Sequence, residues 1–237
     1  MKMSNPLPAL FFCIVIIMTS ISCSEQFIVS EVVPTDDPIY FLALGDSYTI
    51  GQGVPEEDRW PNQLTERLEE SGSEISGTQI IAQTGWTTSN LLSALNNEDL
   101  TALGDSNLVS LLIGVNNQFQ GLSFKDFTCE FEYLLEKSIG YAGTKDLVFV
   151  VSIPDYGVTP FGSNNSEMIA EELDMYNDHM KSKCESFEIP FIDITEISRE
   201  LGDSEDALAP DNLHPSGFQY REWVEEMIPV VIALLDN

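Results

Sequence analysis

Five short apolar runs alternate with stretches of helical periodicity, and this alternation limits the fold more than any other feature of the chain. The runs are IYFLAL (Ile39–Leu44), TQIIAQ (Thr78–Gln83), NLVSLLI (Asn107–Ile113), LVFVVSI (Leu147–Ile153) and IPFIDI (Ile189–Ile194). Helical patterns lie near Arg59–Ser71, Thr88–Asn96, Phe124–Tyr141, Ser166–Phe187 and Ser216–Leu235. Pro229 is expected to kink or interrupt the last, because proline lacks the N–H and its ring clashes with the preceding turn. Short β-rich runs bounded by Gly, Pro, Asn or Asp fit strands buried on both faces. The alternation therefore predicts an α/β protein: a five-stranded parallel sheet with helices on both faces. Residues 39–237 suit one domain, since about 100–200 residues make one hydrophobic core.

In open parallel sheets, ligands bind beyond the carboxyl ends of the strands. That rule sorts three copies of the tetrapeptide LGDS, ending at Ser47, Ser106 and Ser204. Ser47 directly follows the first run and precedes YTIGQG, a strand end in a Gly-rich turn where backbone N–H groups can meet a developing oxyanion. Ser106 follows a helical stretch that stops at Gly104, and a strand comes after it, so it falls at the wrong end of the sheet. Ser204 follows the helical ITEISREL and another glycine stop, with no strand to position it. Ser47 is thus the candidate nucleophile, and the other two read as helix-stop turns.

Two histidines are present. His179 lies off the apolar stripe of its helix and is expected to be solvated. His214 sits in APDNLHPSG, after the fifth run, with Asp211 three residues before it. Taken alone, this pair reads as a polar loop capping the last helix. At the active edge, Asp211 can instead hold the imidazole for the serine. QTGWTT after the second run offers the Gly85 N–H, where glycine lets backbone approach substrate. GVNNQ after the third offers Asn116, whose amide can donate to an oxyanion without adding charge.

ALGDSYTIG, TGW, IGVNN and DNLHPSG resemble, in order, the four sequence blocks of the SGNH, or GDSL-type, hydrolases. The match spans Leu42 to Gly217. The resemblance implies a flavodoxin-like three-layer α/β/α sandwich and serine ester hydrolysis without metal or cofactor. By position it makes Ser47, Asp211 and His214 the catalytic triad, and the Ser47 N–H, Gly85 and Asn116 the oxyanion hole. It suggests carboxyl esters, as in lysophospholipase- or arylesterase-like members; a carbohydrate O-acetyl esterase would share the same residues. Asn117 stands where the third block often has Asp, which leaves open what replaces that carboxylate's bond. Asp46 is expected to bond nearby backbone in its turn.

Trp60, Trp86, Tyr156 and Phe161 fall near strand ends. They suit stacking on a sugar, lining an acyl pocket, or core packing, with Trp86 and Tyr156 the candidate substrate-binding pair. No loop carries a contiguous apolar run or a lid-like insertion, so short acyl groups are expected. Convergence of Phe119, Leu122, Tyr156, Val158 and Phe161 in space would weaken this expectation.

Residues 1–22 read as a signal peptide: Lys2, then an apolar run of about 15 residues, shorter than the roughly 20 of a membrane span. Residues 23–38 read as a tether. TSISCSEQ resembles a lipobox with Cys23 as the lipidated residue, although Ser20 stands where Leu is usual. Export from a bacterial cell is expected, with a lipid anchor in the envelope or, without one, a periplasmic or secreted protein. A formal charge of −29 repels phosphate backbones, so nucleic acid is not an expected partner. Cys129 and Cys184 sit on different helix sides relative to the apolar residues, and both two free thiols and one bridge remain open. Two further classes compete: a flavin- or phosphate-binding module, disfavoured by Asp46 in the loop, and a surface lipoprotein that binds ligands without turnover.

Overall fold

A computed structural model describes residues 39–98, 100, 107–204 and 206–236. The leader, the tether, Cys23, Gly104 and Ser106 lie outside the described residues. The elements are β1 (Ile39–Gly45), α1 (Ser47–Ile50), α2 (Trp60–Glu70), β2 (Ile75–Ala82), α3 (Thr88–Leu95), β3 (Asn107–Leu112), α4 (Val115–Phe119), α5 (Phe124–Ala142), β4 (Val148–Val151), α6 (Ser166–Phe187), β5 (Phe191–Ile192), α7 (Thr195–Leu201) and α8 (Gly217–Leu235). The sheet is parallel throughout, in the order β2-β1-β3-β4-β5. The chain steps from β1 to one side for β2 and to the other for β3, so the end of β1 is a topological switch point. A ligand crevice is expected there.

The apolar runs bury both faces, as their composition requires. Phe41 to Leu44 in β1 and every residue of β3 and β4 are buried. Helix α2 packs on α8, while α5 packs on α3 and α6, completing the α/β/α layers. The edge strand β2 starts at Ile75, earlier than the apolar run suggests, because it pairs with Ile39 from that residue on. At the opposite edge β5 is shorter than its run. Pro190 has no N–H to give, although its carbonyl accepts from Val150. Beyond Ile192 the ladder gives way to side chains: Ser152 Oγ accepts from the Ile194 N–H and Asp193 Oδ1 from the Thr195 N–H.

Pro229 does not interrupt α8, which runs unbroken to Leu235. An interior proline costs about 3 kcal/mol, but Trp223, Val224 and Met227 before it and Val231 after it are buried. Packing on both sides outweighs the lost hydrogen bond. The two cysteines are free: Cys129 is exposed on α5 and Cys184 is buried on the apolar face of α6. Burial pushes the Cys184 thiol up to about 12.

Candidate active site

The site is assembled at the carboxyl edge of the sheet. After β1 the chain turns at once, and the turn requires glycine. A Cβ on Gly45 would stand 2.1 Å from Thr49 Oγ1 and 2.5 Å from the Leu112 carbonyl oxygen. Asp46 caps α1, its Oδ1 accepting the Tyr48 N–H at 3.0 Å. This is the backbone role expected of it, and it holds Ser47 in the first turn of α1. The other carboxyl oxygen, Oδ2, is buried with no hydrogen-bond partner among the described residues. Burial raises the carboxyl to about 7, only partly offset by the backbone bond from Tyr48.

That shift has a sign that can be tested. The folded chain holds the Asp46 proton more tightly than an unfolded chain does. Ionisation therefore penalises the fold: not at all below about pH 4, and fully above about pH 7. Asp46→Asn keeps an Oδ1 acceptor and cannot ionise. Its Tm relative to wild type is expected to be higher at pH 8 than at pH 5, measured by thermal unfolding. An equal difference at both would show that Asp46 does not titrate in this range.

The base-bearing loop is closed by its own backbone. Leu208 bridges Pro215, Ala209 N–H donates to the His214 carbonyl, and Ser216 N–H donates to the Ala207 carbonyl. Asp211 divides its two oxygens. Oδ1 accepts from the N–H groups of Leu213 at 3.0 Å and His214 at 2.9 Å, and Oδ2 lies 2.7 Å from His214 Nδ1. Partial burial pushes the Asp211 carboxyl up. The bonds from the His214 N–H, its ring and the Leu213 N–H outweigh that and hold it below the usual value. Ser216, not Asp211, caps α8 by accepting from the Gln219 N–H, so the helix-cap reading of the pair does not apply. The imidazole packs on Tyr48, ring centroids 5.7 Å apart.

Gly85 has φ of 81°, a conformation that favours glycine, and an added Cβ there would meet nothing within 4 Å. Asn116 lies in the first turn of α4, and its Nδ2 donates to the Trp86 carbonyl at 2.9 Å. A primary amide has two N–H donors, so this bond fixes the amide and leaves one to give. The departure at Asn117 is also answered. Its Oδ1 accepts the Thr88 N–H at 3.0 Å, its Nδ2 donates to Thr88 Oγ1 at 2.7 Å, and Thr88 Oγ1 donates to Glu130 Oε2 at 2.5 Å. The carboxylate sits one hydrogen bond further out, on α5.

Ser47, Gly85, Asn116 and His214 line one cleft of about 280 Å³. Ser47 and His214 are only 5% and 6% exposed. Tyr48, Val115, Phe119, Tyr156, Phe161 and Leu213 add aromatic and apolar lining, and Gln52 and Thr84 add polar groups. Phe119 and Phe161 stand 5.8 Å apart and each lies close to Tyr156, at 6.1 and 6.3 Å between ring centroids. Three of the rings whose convergence would matter do converge, drawn from α4 and the segment after β4. Tyr156 is held by its hydroxyl, which donates to Gln118 Oε1 at 2.9 Å, while Gln118 Nε2 donates to Glu172 at 2.6 Å.

Other sequence candidates lie elsewhere. Trp60 is fully buried against Phe41 in the core. The Trp86 side chain packs partly buried against the core, and it is its backbone carbonyl that orients Asn116. Ser204 is exposed in the turn after α7. His179 is not solvated as expected: its ring packs on Phe124, Phe127 and Phe131, with Nε2 buried and unpartnered among the described residues. Burial lowers its pKa. Gln52 and Thr84 in loops, and Thr88 and Glu130 on α3 and α5, are not singled out by sequence, because a polar residue off the apolar pattern does not show what it will meet in space. Among the described residues, no group of three or more His, Cys, Asp or Glu side chains is arranged to hold a metal ion.

A family model described as the GDSL-like lipase/acylhydrolase family matches residues 43–221. No curated protein sequence matches the chain. Solved structures share the fold. TesA aligns with a TM-score of 0.65 at 18% identity, covering 82% of this chain and 99% of TesA. The psychrotrophic esterase EstA from Pseudoalteromonas sp. gives 0.61 at 18% identity, covering 84% and 99%. The acetylxylan esterase Axe2 from Geobacillus stearothermophilus gives 0.64 at 16% identity, covering 81% and 94%.

Proposed function

Since the chain belongs to the GDSL-like lipase/acylhydrolase family and is a carboxylic ester hydrolase, we propose that it works through an acyl-enzyme on Ser47. The observation that carries the reading is the 2.7 Å contact of Asp211 Oδ2 with His214 Nδ1, made at the cleft that Ser47 lines. With Nδ1 engaged, Nε2 is the nitrogen free to act. It takes the Ser47 proton as Oγ bonds to the ester carbonyl carbon. The carbonyl oxygen becomes an oxyanion held by the N–H groups of Ser47 and Gly85 and the second amide N–H of Asn116. The tetrahedral species collapses, the carbon–oxygen bond to the alcohol breaks, and His214 returns the proton to the departing oxygen. Water then attacks the acyl-enzyme by the same route. One donor of this kind is worth about 2.7–4 kcal/mol.

The apolar wall of Phe119, Tyr156 and Phe161 seats the acyl group. The expectation of short acyl chains rested on the absence of an apolar run in any one loop, and the wall is built from two segments. The cleft volume, about 280 Å³, still bounds the chain, being just under the roughly 300–1,000 Å³ of ligand pockets. On p-nitrophenyl esters, kcat/KM is expected to rise from acetyl to butyryl by about fourfold per methylene, from ~0.8 kcal/mol for each buried CH₂. It then falls by palmitoyl. A steady rise through palmitoyl would mean a long groove instead, and a maximum at acetyl would remove the wall from acyl binding.

A carbohydrate O-acetyl esterase would use the same residues, and the polar pair Gln52 and Thr84 in the cleft supports that second reading. Export and lipidation of Cys23 stay part of the proposal, on the strength of the leader sequence alone.

A further inference from the structure

The cleft lining holds an aromatic cluster, already accounted for, and a polar pair, Gln52 and Thr84. In that pair Thr84 Oγ1 donates to Gln52 Oε1 at 2.5 Å, tying the loop after β1 to the loop after β2. This pairing uses the Gln52 carbonyl and the Thr84 proton. The two amide N–H donors of Gln52 and the lone pairs of Thr84 are left over. The pair therefore presents donors and acceptors together, which is the complement of a group that both donates and accepts, such as a hydroxyl.

Its position indicates which half of an ester it would meet. Gly53, the next residue after Gln52, packs on the base-bearing loop. An added Cβ there would stand 2.8 Å from Ala209 Cβ and 3.6 Å from Asp211 Oδ2. The Gln52 turn thus lies beside the Asp211–His214 pair. The group that receives a proton from His214 is the departing alcohol oxygen, so the alcohol half leaves on the side of the base. The acyl half faces Phe119 and Phe161, which are 55% and 53% exposed and offer no hydrogen-bonding group.

The geometry points to Gln52 and Thr84 as an alcohol subsite, one that selects esters of polyols carrying a second hydroxyl near the ester oxygen. This rests on the acyl-enzyme reading above. A simple alkyl alcohol leaves the pair without new partners. A glyceryl or glycosyl alcohol donates to Thr84 and accepts from Gln52. Each such neutral hydrogen bond is worth about three- to tenfold in affinity.

The test compares kcat/KM on ethyl butyrate, glyceryl monobutyrate and a butyryl glucose ester, for wild type, Gln52→Leu and Thr84→Val. Wild type is expected to prefer at least one polyol ester over the ethyl ester by about tenfold, from two such bonds. Which of the two it prefers separates a glycerol from a sugar source. Both variants are expected to shrink that ratio to within about twofold, chiefly by raising KM on the polyol ester; the ratio cancels any general loss of active protein. An active wild type indifferent to the extra hydroxyls, or a preference that survives both substitutions, overturns the subsite alone. A wild type inactive on all three esters overturns the acyl-enzyme reading and the subsite with it.

Discussion

Replacing Ser47 with alanine is expected to lower kcat on a p-nitrophenyl ester by about 10⁴-fold or more, the scale seen when a serine nucleophile is removed. The reason is positional. Ser47 is held in the first turn of α1 by the Asp46 cap, directly after a strand whose Gly45 tolerates no side chain. It lines the cleft that His214 also lines. Ser204→Ala is expected to stay within a few-fold of wild type, since Ser204 is exposed beyond α7 and lines no part of that cleft. Ser106→Ala should behave likewise, on the sequence reading that places it at the amino end of its strand. A comparable loss in either, in a folded protein, would move the nucleophile.

His214→Ala is expected to be as damaging as Ser47→Ala, and the double variant hardly worse than either. Without the base, Ser47 keeps its proton; without the serine, the base has nothing to activate. Residues that act as a unit are not additive. Asp211 supports this by accepting from both the backbone and the ring of His214, fixing which nitrogen faces the reaction. His179 serves as the internal comparison. It packs among phenylalanine rings of α5, so His179→Ala should lower Tm while leaving kcat near wild type. Full multiplicativity of the Ser47 and His214 losses, measured by steady-state kinetics, would show that they do not share a step.

Much of this was legible before any coordinates, for identifiable reasons. Strands buried on both faces leave continuous apolar runs, so the five runs located β1 to β5 and the edge where Ser47, Gly85, Asn116 and His214 meet. Short elements were harder. Helices α1 and α4 span too few residues for a 3.6-residue period to register, and strand ends shifted where Pro190, Ser152 and Asp193 changed the hydrogen bonding. Contacts between separate elements were not legible at all. Phe119, Tyr156 and Phe161 are scattered in sequence and become a wall only because α4 and the segment after β4 adjoin. The Asn117–Thr88–Glu130 chain and the Gln52–Thr84 pair are invisible for the same reason. His179 shows the limit of a stripe argument: a residue off the main apolar face of α6 can still be covered by a neighbouring helix, here α5.

The central claim is that Ser47 is the residue that carries the acyl group. A fluorophosphonate bonds covalently to an activated serine oxygen, so the direct measurement is its reaction with the purified protein, read by intact mass and by peptide mapping. The expected result is a single adduct on the peptide that contains Ser47, formed in step with the loss of esterase activity and absent from Ser47→Ala and His214→Ala. Inactivation with the adduct on another residue, or full labelling of Ser47→Ala, would contradict it.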